Sequence, residues 1–229
     1  REIVTVIAEA FDPYAEWERF IALAREPELR FIVSNTTEAG LRYEPGPLGD
    51  GPIPSFPGKA ARLLYERWRA FSGDPQRGLI LLPCELTERN GDVLRDAVLR
   101  HAADWGWPEA FREWVAQHNR FLNTLVDRIV TGYPEAEQAE SWFADWGYRD
   151  AMLTTAEPYH LWAIEGEPEL DDELGLRKAG LNVHYTGDLA AFRERKVRIL
   201  NGAHTWMAPI GLLHGIGTVR EALEHPALG

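Results

Sequence analysis

Apolar and polar positions follow two rhythms along this chain, and each change of rhythm marks an element. Near the N-terminus IVTVIA (residues 3–8) is a β-branched run and predicts a strand. Asp12-Pro13 supplies an N-cap and a proline for a first helical turn. Trp17, Phe20, Ile21 and Ala24 then recur at helical spacing until Pro27 stops the helix. LRFIVS (29–34) predicts a second strand, ending in the polar turn SNTTEAG at 34–40. Strand, helix and strand at this spacing are the βαβ pattern of a parallel sheet, so the expected fold class is α/β.

Residues 44–58, EPGPLGDGPIPSFPG, predict an irregular excursion, and KAARLLYERWRAF predicts the helix after it. GLILLPCE (78–85) reads as a buried strand running into the turn ELTERNGD. Two helices follow in the pattern, DVLRDAVLRHAADWG and PEAFREWVAQHNRF, with Pro108 opening the second. NTLVDRIV and EPYHLWAIEG fall outside the helical rhythm and predict strands, while the acidic YPEAEQAESWFADWG between them is expected to face solvent. A last helix is expected after Asp188, running through KVRILNGAHT (196–205). The strand-rich part gives way to helix between about 170 and 190, which places an expected domain change near 185/186.

Composition narrows the classes. The chain has 229 residues, 45% of them hydrophobic and 26% charged, as in ordinary globular proteins. No apolar run approaches the roughly 20 residues that span a bilayer, and REIVTVIAEAF lacks the order of a signal peptide. Cys84 is the single cysteine, so no intrachain disulfide is possible, and a reducing, cytoplasmic setting is expected. Cys84 itself reads as a buried structural thiol. A net charge of -12 argues against a nucleic-acid surface but leaves room for a small anion site. The absence of an initiator Met and the opening in an apolar run lead us to expect an internal piece of a longer protein.

The chemistry concentrates in KVRILNGAHT. At roughly 100° per residue, Lys196, Asn201 and His204 fall within an arc of roughly 140°. Lysine alone on a helix is usually solvated, but Asn201-Gly202 is a pair of poor helix formers, which a helix built only for stability would avoid. Interconversion of an alcohol and a ketone by hydride transfer supplies a reason. It needs one group to move the hydroxyl proton and donors to hold the oxygen as charge develops. A lysine can do the first, and neutral carboxamides the second, without a metal. Glu157, His160, His184 and His204 lack HExxH spacing, so no metal site is expected.

The spacing of Lys196, Asn201 and His204 resembles the active-site signature of the polyol-specific long-chain dehydrogenases, the mannitol dehydrogenase family. The Asn-Gly turn at Asn90 and the segment NTLVDRI with Asp127 are similar to family motifs, and SNTTEAG resembles the family loop at the nicotinamide end of the cofactor. By this resemblance Lys196 is the general acid–base, Asn201 and Asn90 form the oxyanion hole, and His204 and Asp127 position the substrate. Ser34, Asn35, Thr36 and Glu38 become expected cofactor contacts, and the cofactor is NAD. His160, read on one strand face with Trp162, is an expected substrate contact. RFIVSNTTEAG, LPCELTERNGD, EPYHLWAIEG and KVRILNGAHT are most similar to the branch of the family that reduces the ketouronate tagaturonate to altronate.

The implied fold is the second half of a Rossmann-like nucleotide-binding domain (1–185) followed by the start of a mostly α-helical substrate domain (186–229). Two features depart from the family pattern. No G-x-G-x-x-G lies between a strand and a helix, and Arg193 stands one turn before Lys196 where some members carry an acid. Arg193 adds a cation that suits a carboxylate-bearing substrate. The expected partner is a small-molecule sugar acid, with neither nucleic acid nor membrane. The sister activities, fructuronate reductase and mannitol dehydrogenase, remain as alternatives, as does a non-catalytic piece that binds a sugar acid or a partner. Sugar stereochemistry, NAD against NADP and oligomeric state are left open by the sequence.

Overall fold

The computed structural model describes residues 2–226 and 228. Two compact units divide at Thr124/Leu125, and each is described by itself. This division of contacts is a different boundary from the expected domain change near 185/186: among the described residues, the sheet that begins at Thr124 does not pair with the first sheet.

The first unit is a three-stranded parallel sheet flanked by helices. Its sheet has the order β1 (Phe31–Ser34), β2 (Ile80–Pro83), β3 (Arg120–Phe121). β1 pairs in register from Phe31 with Ile80 to Ser34 with Pro83, and β2 pairs Ile80 with Arg120. β2 is buried at all four positions, as its unbroken apolar run requires of a central parallel strand.

Helix α1 (Trp17–Ala22) precedes β1; α2 (Phe56–Ala70), α3 (Asn90–Asp104) and α4 (Glu109–His118) form the connections that follow. Ser55 caps α2 by accepting from the Gly58 amide, and Pro57 sits in the first turn, so the helix begins three residues earlier than the sequence suggests. Leu64, Leu81, Leu94, Val98, Phe111 and Val115 make the centre of the core. Arg67 is buried among them and donates to the carbonyls of Ala24, Glu26, Leu29 and Arg77 at 2.6–3.2 Å, fixing the chain that leads into β1.

IVTVIA does not form a strand. Its residues run as irregular, exposed chain, with Val6 89% exposed, because no neighbouring strand among the described residues pairs with it. β-branching favours an extended chain only where a pleated surface receives it.

The second unit opens on β4 (Thr124–Asp127), which joins β7 (Leu161–Glu165) and β8 (Val183–Thr186) in a sheet of order β4-β7-β8. β7 and β8 are parallel, Trp162 opposite Val183. β5 (Val130–Gly132) and β6 (Thr155–Ala156) make a small antiparallel ribbon. Between them lies α5 (Ala136–Trp146), and its acidic sequence is not wholly solvent-facing: Ala139 and Phe143 are buried, four apart on one face.

Short α6 (Leu170–Leu174) precedes β8. Asp171 accepts from the Arg177 amide and the Tyr185 hydroxyl, each at 3.0 Å, which lowers its pKa. Burial, with that bond, pushes the Tyr185 hydroxyl up to about 12. After α7 (Ala190–Glu194) the chain winds as a π-helix over Arg195–Asn201, then as α8 (Gly202–Leu213) and α9 (Val219–Glu224), the last closed by a Thr218/Glu221 capping box. No helix among the described residues is long and apolar enough to cross a membrane.

Candidate functional site

Two clusters of polar side chains stand out, one in each unit. In the first, the carboxyl ends of β1, β2 and β3 lie side by side, the edge at which parallel sheets bind ligands. Asn90 is fully buried there, and it does not sit in a free turn: it is the first residue of α3. Its amide nitrogen donates to the carbonyls of Pro83 (2.9 Å), Glu85 (3.0 Å) and Thr124 (3.0 Å). Its oxygen accepts from the amides of Gly91 and Thr124, both at 2.9 Å. A carboxamide has two N–H donors, and three carbonyls already share them. Asn90 therefore braces the strand ends in this structure, a different use from the oxyanion donor expected from sequence.

Gly91 has to be glycine for this packing, since a Cβ would come within 2.6 Å of the Leu122 carbonyl carbon. The α3 amides of Gly91 and Asp92 are capped by Asn123, at 3.0 and 3.2 Å, from 32 and 31 positions away.

The 34–40 loop is tied to the same edge through Glu85, which the sequence reading passed over. Ser34, an expected cofactor contact, is buried and donates its hydroxyl to Glu85 Oε2 at 3.0 Å. Thr36 donates both its amide (3.0 Å) and its hydroxyl (2.8 Å) to Glu85 Oε1. Asn35 and Glu38 are exposed. Cys84 is buried beside Glu85, and burial raises its thiol to about 11, which leaves it unreactive.

The second cluster centres on Lys196, in the π-helix. Its ammonium donates to the Val126 carbonyl at 2.5 Å and pairs with Asp127 Oδ1 at 3.2 Å; both side chains are sheltered, 12% and 13% exposed. Two of the expected site residues, Lys196 and Asp127, are thus brought together across most of the second unit's length.

The π-helix changes the geometry of Lys196 and Asn201. In an α-helix residues five apart point roughly 140° away from each other. The i→i+5 bonding of a π-helix, seen where the Gly202 amide reaches the Val197 carbonyl, turns residues five apart nearer to one side than an α-helix does. Asn201 and His204 are exposed, and Arg193 is half-buried on α7.

His160 is placed otherwise than expected. β7 starts at Leu161, so Glu157 to His160 are not strand and His160 does not share a strand face with Trp162. Its Nε2 accepts from the Asn182 amide at 3.0 Å, and Nδ1 faces the Pro158 carbonyl at 3.3 Å. Both nitrogens are engaged by main chain, which makes His160 a brace between strand starts. Asn182 donates to the His160 carbonyl (2.8 Å) and meets His184 Nε2 (2.9 Å). Glu157 grips the turn after Asp127, accepting from the Ile129 amide at 2.7 Å. No group of three or more metal-ligating side chains occurs among the described residues.

The family model described as the mannitol dehydrogenase Rossmann domain matches residues 1–178, and that of the mannitol dehydrogenase C-terminal domain matches 188–229. Altronate oxidoreductase of Bacillus subtilis is 46% identical over 228 residues, 99% of this chain and 47% of its own length. Altronate oxidoreductase of Escherichia coli is 49% identical over 212 residues, 92% of this chain and 44% of its own. The chain therefore spans about half the length of these relatives. Among solved structures, substrate-free D-sorbitol dehydrogenase superposes with a TM-score of 0.75 at 25% identity, over 94% of this chain and 46% of that one. The ternary complex of Pseudomonas fluorescens mannitol 2-dehydrogenase with NAD and D-mannitol gives 0.66 at 23%, over 93% and 44%, and speaks for the fold alone.

Proposed function

From the premise that the chain belongs to the mannitol dehydrogenase family, we propose that it is part of a cytoplasmic NAD-dependent oxidoreductase that interconverts the ketouronate tagaturonate and its alcohol altronate. The names of its relatives support the substrate class. The observation that carries the chemistry is the setting of Lys196. An ammonium has three N–H donors. Two are engaged by Val126 O and Asp127, and one remains for a substrate oxygen.

NADH, when bound, supplies the hydride to the carbonyl carbon. The edge at the carboxyl ends of β1 to β3 fits the nicotinamide end of such a cofactor, with Asn35 and Glu38 as the contacts and Ser34 and Thr36 held behind them by Glu85. No residue of this chain is assigned to the pyrophosphate. In reduction Lys196 gives its third proton to the nascent alkoxide and is left as the neutral amine; in oxidation it removes the hydroxyl proton. Asp127 aims the ammonium. Asn201, turned nearer to Lys196 by the π-helix, donates to the same oxygen without titrating, and His204 contacts a neighbouring hydroxyl. Arg193 meets the substrate carboxylate. Residues from 186 onward begin the substrate-binding domain in this reading.

The test is an assay of the full-length protein with NADH and tagaturonate, fructuronate and fructose. Oxidation of NADH fastest with tagaturonate is expected. Preference for fructuronate or fructose would move the assignment to a sister activity, and no NADH oxidation with any of them would end it.

A further inference from the structure

We propose that Glu85 is a positioning residue that holds the 34–40 loop in the shape that receives the dinucleotide, which rests on the reading of that loop as the cofactor contact. Glu85 is 3% exposed, and no cation pairs with it among the described residues. Its three donors are neutral: Ser34 Oγ at 3.0 Å, Thr36 N at 3.0 Å and Thr36 Oγ1 at 2.8 Å. A carboxylate buried without a counter-ion is a costly way to hold a loop, and apolar packing would do so more cheaply. A carboxylate does what apolar packing cannot: it fixes a main-chain amide and two hydroxyls in direction as well as in place.

The neighbouring contacts serve the same end. The Glu85 carbonyl accepts from Asn90 Nδ2 at 3.0 Å, so the loop is tied through Glu85 and Asn90 to Pro83 at the end of β2 and to Thr124 in the chain after β3. The Thr87 hydroxyl donates to the Glu38 carbonyl at 3.2 Å, a second tie between the same two loops. Gly40 leaves the space Thr36 needs, since a Cβ there would lie 2.1 Å from the Thr36 hydroxyl oxygen. The loop is thus clamped at Ser34, Thr36 and Glu38, while the Asn35 side chain between the clamps stays exposed. Holding a ligand-contacting loop in its bound shape lowers the ordering cost of binding.

In the full-length protein, Glu85→Ala is expected to raise the NADH Kd, read by fluorescence titration, roughly tenfold, with the KM for the sugar acid changed less than about twofold. Glu85→Gln is the rescue. Its carbonyl oxygen can accept both Thr36 donors and its NH2 can donate to the Ser34 hydroxyl, so it recovers most of the affinity. Thr36→Val removes one bond from the rim of the cluster and is expected to raise the Kd roughly threefold, a measurement that stands even where Glu85→Ala fails to fold. The proposal is overturned if Thr36→Val leaves the NADH Kd unchanged, or if the sugar-acid KM rises in parallel with it. Wild-type protein that binds NADH but reduces no ketouronate defeats the substrate assignment alone, and the Kd series still decides on Glu85. Wild-type protein that binds no NADH defeats both.

Discussion

The carboxyl edge of the first sheet and the π-helix of the second unit hold their polar groups in opposite ways. At the sheet edge Asn90, Glu85, Asn123 and Thr124 are buried, and their side chains are engaged by main chain or by neighbouring side chains. Along the π-helix and the start of α8, Asn201 and His204 are exposed, whereas Lys196 is tied through Val126 and Asp127. The first arrangement uses hydrogen bonds to make a rigid frame, where loss of one donor leaves several acceptors unsatisfied. The second uses backbone winding to present groups that keep bonding capacity for something else. A polar residue that looks catalytic in sequence can belong to either, and the discriminating question is whether its donors are already engaged.

The largest expected effect separates the two regions by readout. Lys196→Met keeps a side chain of similar length while removing the proton donor, so kcat should fall by roughly 10²–10⁴. Removing the ammonium also leaves the sheltered Asp127 carboxylate without its partner, so some loss of melting temperature is expected beside it, and kcat is read on protein that is folded at the assay temperature. Full activity in this variant would remove the acid–base assignment. Asn90→Asp is the counterpart at the sheet edge. It is nearly isosteric but turns a donor to three carbonyls into an acceptor, a buried charge with no partner. It should lower unfolding stability by about 3–5 kcal/mol in urea titration. A stable Asn90→Asp protein with lost turnover would restore the oxyanion role to Asn90 and erase the contrast between the regions.

What the sequence made legible follows the same division. β2 and the α2–α4 helices were readable because each buries regularly placed apolar residues, and β1 because its apolar, β-branched run pairs along β2. The π-helix was foreshadowed by Asn201-Gly202, a pair that weakens an α-helix where this one changes its winding, although the sequence could say only that something was being given up. Glu85 left no signal: a glutamate after a strand reads as solvated, and its three donors come from residues 49–51 positions away. His160 misled because the strand expected from Glu157 begins only at Leu161, four residues later, so alternation does not reach His160. The unpaired 3–8 run misled for the complementary reason, since β-propensity cannot report whether a neighbour is present.

A pH scan sharpens the contrast at a place where the first unit breaks its own rule. His101 is 1% exposed, packed between Tyr43 and Trp105 with both tilted rings 4.6 Å away centroid to centroid, and neither ring nitrogen has a hydrogen-bond partner. Burial lowers its pKa from 6.5; Arg100 acts in the same direction, and Asp104 and Glu44 oppose. The unfolded chain therefore binds a proton that the folded chain refuses. Stability from this group is complete above about pH 6.5 and is lost as pH falls toward the depressed folded value, by at most about 1.4 kcal/mol per pH unit. His101→Phe, which keeps a ring between Tyr43 and Trp105 and removes the titration, should flatten that slope between pH 6.5 and 5 in urea denaturation. An unchanged slope would mean that other groups set the acid sensitivity.

The smallest expected effect is the most informative about the π-helix. Gly202 follows its last residue, and a Cβ there would meet only the Val197 carbonyl oxygen at 3.8 Å, an ordinary contact. Gly202→Ala should therefore fit, and alanine favours regular α-helix over glycine by about 0.5–1 kcal/mol. If the winding exists to bring Asn201 nearer to Lys196, a bias toward α-helix turns Asn201 away from the ammonium. Stability should then rise by that small amount while kcat drops, by less than the roughly tenfold that 1.4 kcal/mol would produce. Opposite signs in the two measurements would mean that the local loss of helix stability is coupled to catalysis. A gain in both would mean that the exposed groups of the second unit do not need the π-helix, and that Lys196 with Asp127 carries the chemistry without Asn201.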